Sequence, residues 1–288
     1  MSDSSYVLYN YTPSLAAAVV ALLLFLAATG VHIFLAAKHR SKFLIAFIIG
    51  GFLETVGYAA RAVSAHQAPN YSTMPYALQS LFILIAPSLF AASIYMILGR
   101  IIVLTDGDSR SIIPARRMTK IFVLGDVLAF FIQAGGGGIM SSAKSTSTLK
   151  LGEKVIIVGL IVQILSFGFF VVVSLIFHQR ITANPTPASM TVRVNWNRYL
   201  IVLYIASAMV MVRCVYRVVE YIQGQTGELQ SHEYFAYIFD AALIFFVMVI
   251  FMIFHPSQVV PKPEAEGYET ELMYKQSNHH GSSLRMDV

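Results

Sequence analysis

The chain has 288 residues, 57% of them hydrophobic and 12% charged, and its mean hydropathy is +0.67. Soluble domains carry about 25% charged residues, so this composition describes an integral membrane protein rather than a water-soluble one. The single cysteine, Cys214, excludes an internal disulfide and a multi-cysteine metal site, and the formal charge of +5 must be placed relative to a membrane before it means anything about partners.

A helix crosses the hydrocarbon core with ~20 apolar residues. Seven segments meet that length, which predicts an all-α, seven-transmembrane helix bundle. Residues 1–13 contain no lysine or arginine and read as a short external N-terminus ahead of a retained anchor, not as a secretory leader. Asn10 lies here in an Asn-Tyr-Thr sequon. The first span, 14–37, is followed by Lys38, Arg40 and Lys42. The second span, 43–62, carries Glu54 and Arg61 seven residues apart, on one helical face with Tyr58 between them. A second sequon, at Asn70, falls in the next loop.

The third span, 77–104, has Gln79 near its start, Pro87 inside it and Arg100 near its end. Pro87 is expected to kink the helix and to free a backbone carbonyl. The loop after it carries Arg110, Arg116, Arg117 and Lys120. The fourth span, 120–140, places Asp126, Gln133 and Gly137 at spacings of seven and four, and ends in "QAGGGGI". The glycines lack the Lys-Ser/Thr of a phosphate loop, so they predict close helix packing or a break in the helix. Asp126 is expected to find Arg100 as its partner. Gln133, Gln163, Asp126 and Pro87 are candidates for a gate or for packing.

Lys144, Lys150 and Lys154 precede the fifth span, 155–177, which contains Gln163. Arg180, Arg193 and Arg198 follow it. The sixth span, 199–221, ends in "VRCVYRVVE", where Arg213, Arg217 and Glu220 form one stripe at spacings of four and three. The seventh span, 234–254, holds Asp240, and 255–288 reads as a disordered polar tail.

The basic loops set the topology. Three of them fall on one side and one on the other, so the positive-inside rule puts the N-terminus outside and the C-terminus in the cytoplasm. Both sequons then lie outside, where an acceptor asparagine must be. The basic residues serve membrane topology, and nucleic acid is excluded as a partner. With this orientation Glu54, Arg61, Arg213, Arg217, Glu220 and Asp240 all belong to the outer leaflet. A charge at mid-bilayer costs ~2.5–3.5 kcal/mol or more, so these six are expected to pair inside the bundle. They define a candidate polar cavity that binds substrate. His32, His39, His178 and His255 show no ligand spacing, and there is no Gly-x-Ser-x-Gly. The sequence therefore predicts no catalytic residues, no metal, no cofactor and no enzyme.

"LETVGYAAR" (53–61), "LIAPSLFAASIYMILGRII" (84–102), "GDVLAFFIQAGGGGI" (125–139), "VRCVYRVVEYIQGQTG" (212–227), "HEYFAYIFDA" (232–241) and "FHPS" (254–257) resemble the fungal lipid-translocating exporters, the RTA-like or aminocholesterol-resistance family. The resemblance runs from about Tyr11 to Pro256. It implies a fungal multi-pass protein, of the plasma membrane above all, that moves or exports amphipathic lipids such as sphingoid long-chain bases or sterol analogues. It further implies a part in stress response and in resistance to toxic lipids and drugs. The family also implies two other roles: a receptor-like lipid sensor or regulator working with a flippase or signalling partner through the cytoplasmic loops and tail, and porphyrin or haem transport. Glu233 is among the family-like positions.

Overall fold

The computed structural model describes residues 9–143, 145–224 and 227–259, and every regular element among them is helical. The long helices are α1 (Leu15–Lys38), α2 (Ile45–His66), α3 (Thr73–Leu104), α4 (Ala115–Ser141) and α5 (Thr146–Ala183). A short α6 (Pro187–Thr191) precedes α7 (Trp196–Gln223). After α8 (Glu228–Ser231) the seventh span runs over Glu233–Ile253 as α9 (Glu233–Ala236), a π-helical turn (Tyr237–Ala242) and α10 (Leu243–Ile253). Among the described residues, seven helices are therefore long and apolar enough to cross a membrane.

The helix starts follow local chemistry. Ser14 accepts a hydrogen bond from the Ala17 amide at 3.3 Å, Ser145 from that of Thr148 at 3.3 Å, and Asn195 from that of Arg198 at 3.1 Å. Each satisfies an amide that the first turn leaves without a helical partner. Gly224 ends α7 at φ +68°, a conformation that side chains with a Cβ rarely adopt. Several helices are longer than their apolar runs: α5 extends from a predicted 155–177 to Thr146–Ala183, because capped polar turns continue beyond the hydrocarbon.

Spans adjacent in sequence pack on one another, and the seventh closes the ring by touching both α7 and α1. α3 is the most enclosed, also meeting α5 and α7. The outward faces are apolar: Val20, Leu23, Phe34, Phe131 and Leu165 are all more than half exposed. An exposed apolar belt of this kind is a lipid-facing surface. Inside, Phe47 packs edge-on against Phe90 at 4.7 Å and Phe251 at 5.4 Å, tying α2, α3 and α10 together. α4 and α5 approach closely at Gly136, where an added Cβ would lie 2.8 Å from the Gly152 carbonyl oxygen. Of the four glycines, Gly136 alone makes this contact, and the run does not break α4, which continues through it to Ser141.

Two ends of the bundle can be told apart. The rim end carries residues 9–14 and the turns after His66, Ser141 and Gln223; the basic end carries the turns after Lys38, Leu104 and Ala183. Lys144 and the tail from residue 260 onward lie outside the described residues.

Candidate functional site

At the rim end a cavity of about 630 Å³ lies among residues 9–11, the end of α2, the start of α3, the end of α4, the start of α5, the end of α7 and the seventh span. Of the six predicted charges, Arg61, Arg217, Glu220 and Asp240 line it. Glu54 and Arg213, each 1% exposed, do not. They lie behind the wall, which corrects the expectation that all six face a single wet space.

The stripe on α7 points inward. Arg213 donates from Nε to Asp240 Oδ1 and from Nη2 to the Ile83 carbonyl at 2.8 Å. That carbonyl is available because residue 87, its normal helical donor, is a proline without an N–H. Pro87 thus leaves α3 unbroken as a helix and supplies an acceptor to a buried arginine on another helix. Arg217 donates to Glu220 at 2.7 Å and stands 3.6 Å from the other oxygen of Asp240. Asp240 is therefore shared by two guanidinium groups. The π-helical turn holds it there.

Arg61 takes a different partner. Its Nη2 donates to Glu233 Oε1 at 2.9 Å and to the Tyr11 hydroxyl at 2.7 Å, and its Nε donates to the Tyr237 hydroxyl at 3.1 Å. Glu233 also accepts from the Ser14 amide at 2.8 Å. This knot pins the N-terminal segment over the rim. Glu233, Tyr237 and Asp240 repeat on the seventh span the spacing of four and three seen in Arg213, Arg217 and Glu220, a signal that marks Tyr237 as an inward residue. Tyr9, whose hydroxyl donates to Ser64 at 3.0 Å, has its pKa raised by burial.

Glu54 is the exception to the pairing. It interacts electrostatically with Asp240, Arg213 and Arg217, yet neither of its oxygens has a hydrogen-bond partner. The three arginines face four carboxyl groups: Glu54, Glu220, Glu233 and Asp240. The cavity wall proper carries Arg61 and Arg217 against Glu153, Glu220 and Asp240. In both cases carboxyl groups outnumber arginines.

Of the deeper candidates, Gln133 lines the cavity, and Asp126, Gln163 and Pro87 do not. Asp126 Oδ2 accepts from the Tyr95 hydroxyl at 2.9 Å. Arg100 is not its partner; the guanidinium instead lies over the Phe43 ring at 4.2 Å, because α3 turns that residue toward the start of α2. Gln133 Nε2 donates to Gln163 Oε1 at 3.2 Å, and Gln163 Nε2 donates to Ser88 at 3.4 Å. These three side chains bridge α3, α4 and α5 at the cavity floor. Asn10 and Asn70 are exposed and both lie at the rim end. The four histidines considered as ligands stay apart from the site: His32 pairs with the Met248 carbonyl at 3.0 Å, His178 with Tyr204 at 3.2 Å, and the His39 and His255 rings are 5.2 Å apart. Burial, then the neighbouring His39, lowers the pKa of His255 to about 4.

The model of the family described as "RTA1 like protein" matches residues 47–263. The chain is 37% identical over 290 residues to Protoporphyrin uptake protein 1 of Saccharomyces cerevisiae, covering 88% of this chain and 93% of that protein. It is 36% identical over 282 residues to Protein RTA1 of the same yeast, covering 89% and 87%. It is 27% identical over 259 residues to the Sphingoid long-chain base transporter RSB1, again of that yeast, covering 78% and 67%. No solved structure matches the chain.

Proposed function

This chain belongs to the RTA1-like family, and from that premise we propose that it is a carrier of amphipathic lipids, with the rim-end cavity as the substrate site. The observation that carries this is the cavity itself: a space of about 630 Å³ within the spans, with apolar stretches of wall beside an ionic cluster. An amphiphile needs both surfaces at once. The excess of carboxyl groups over arginines favours a cationic head such as the ammonium of a sphingoid base, with Glu220 and Asp240 as its acceptors. Arg217 then keeps the empty site close to neutral. One similar protein is named as a transporter of such bases.

The basic end faces the cytoplasm and the cavity end faces the exterior, by the positive-inside rule and the placement of Asn10 and Asn70. The plasma membrane is the proposed location. The carrier has no enzymatic role and takes any energy from a gradient or a partner such as a flippase.

The test is reconstitution of the full chain in liposomes with a fluorescent sphingoid base and a fluorescent phospholipid. Faster movement of the base than in protein-free vesicles is expected, with Asp240→Asn and Glu220→Gln each reducing it about tenfold at equal protein content. Wild-type rates in both variants overturn the site.

A second reading has its own support. Tyr9, Tyr11, Tyr58, Tyr76, Tyr221 and Tyr237 line the cavity together with Arg61 and Arg217. Flat aromatic surfaces and guanidinium groups suit a planar tetrapyrrole with carboxylate arms, and another similar protein is named for protoporphyrin uptake. Titration of purified protein with protoporphyrin tests it: an unshifted Soret band rejects this cargo.

A further inference from the structure

α3 and α4 are joined in the basic half of the bundle. Gly99 packs beside Ala115, and Tyr95 meets both Asp126 and the Phe122 ring. Above these contacts, Gln163 of α5 stands between the two helices, bonded to Gln133 on one side and Ser88 on the other. Beyond that bridge, toward the rim, the cavity itself separates them, lined by Ala77, Leu81 and Leu84 of α3 and by Gly137, Gly138 and Ser141 of α4.

Ala77, Leu81, Gly138 and Ser141 line the cavity and are also exposed. Residues with both properties mark a mouth. Leu81 lies about 12 Å along α3 from Thr73 at ~1.5 Å per residue, a depth that falls within a hydrocarbon core ~30 Å thick. The mouth therefore runs down the flank of the bundle. On its α4 edge, a Cβ added at Gly137 or Gly138 meets nothing within 4 Å.

Two side chains behind this mouth each keep one amide oxygen unpaired. Gln79 and Gln133 are 4% and 3% exposed, both line the cavity, and the Oε1 of each accepts no hydrogen bond. A buried carbonyl oxygen left unpaired is costly, so each is an acceptor set for a donor that arrives with a ligand.

We propose that the gap between the rim halves of α3 and α4 is a lateral portal through which a single-chain amphiphile enters from the bilayer. Its alkyl chain passes between Leu81 and Leu84 on one side and Gly137 and Gly138 on the other. The amide oxygens of Gln79 and Gln133 accept from its hydroxyl or ammonium head. The inference rests on the carrier function proposed above and adds the route.

The test uses the full chain in liposomes with fluorescent sphingosine, comparing Gly137→Phe, Gly138→Phe and Gly135→Phe. Gly135 is exposed, lies outside the cavity and has equally free space around it. Movement is expected to fall at least tenfold in the first two and to stay at the wild-type rate in the third. A sphingosine with a diazirine in its chain is expected to label residues 77–84 and 137–141 of the wild type. Full rates in Gly137→Phe and Gly138→Phe, with Asp240→Asn inactive, overturn the portal and leave the cavity standing. Full rates in all of these, Asp240→Asn included, overturn the cavity as well. Should Gly135→Phe fall with the others, the label decides: adducts on α3 and α4 sustain the portal, and adducts confined to other spans overturn it.

Discussion

Asp240→Asn is the most direct probe of the ionic cluster. Asp240 is 3% exposed and serves Arg213 through one oxygen and Arg217 through the other. The substitution keeps the shape and one acceptor but removes the charge. Arg213, 1% exposed, then keeps the Ile83 carbonyl at 2.8 Å and a neutral amide oxygen. Removing one partner of a buried ion pair costs about 3–5 kcal/mol. The surviving amide bond and the nearby Glu54 place this case at the low end, about 3 kcal/mol. Arg217 moves less, since Glu220 still holds it at 2.7 Å. The double variant Arg213→Met/Asp240→Leu removes both charges together, so its loss is expected to match that of Asp240→Asn alone rather than the sum of two single losses. Reversible unfolding in SDS or urea, in bicelles, measures both. A loss below about 1 kcal/mol in Asp240→Asn, or a double variant that loses the full sum, refutes the shared-carboxylate account.

Further outcomes follow from other side chains. Glu54→Met removes a buried carboxyl whose two oxygens have no partner, so stability is expected to rise by about 1–3 kcal/mol in the same unfolding assay; a loss shows that Glu54 is paired after all. Gly136→Ala drives a Cβ to 2.8 Å from the Gly152 carbonyl and is expected to cost about 1–3 kcal/mol, whereas Gly135→Ala, with open space around it, gains up to about 1 kcal/mol; equal melting temperatures deny the close α4–α5 contact. Asn10 and Asn70 are both exposed at the rim end, so glycosidase treatment of protein from a eukaryotic host is expected to shift the wild type and leave the double variant Asn10→Gln/Asn70→Gln unchanged. A glycan reporter that is modified at the C-terminus instead reverses the proposed orientation.

Much of the architecture was legible because membrane insertion is a local matter. A run of ~20 apolar residues crosses whatever its neighbours are, and so the seven spans could be read segment by segment. The inward face of α7 was legible for the same reason: Arg213, Arg217 and Glu220 share a stripe, and lipid will not accept them. Partners were harder. Asp126 and Arg100 seemed matched by charge and by end of the bundle, but Tyr95 holds the carboxylate and Phe43 the guanidinium. Arg61 shares a helix face with Glu54 and instead reaches Glu233, which is 172 residues away in the chain.

The amino-acid order by itself determined the seven crossings, their alternating direction, the lipid-facing surface and the need for buried charges to pair. These depend on hydropathy and helical period, which act over a few turns. Only the tertiary structure decided which carboxylate meets which arginine, that the carbonyl freed by Pro87 receives Arg213, that Glu54 and Arg213 stand behind the cavity wall, and that α3 and α4 part above the Gln133–Gln163–Ser88 bridge. Pairing and cavity shape depend on how distant helices rotate and lean against each other, and that is set by the packing of the whole bundle.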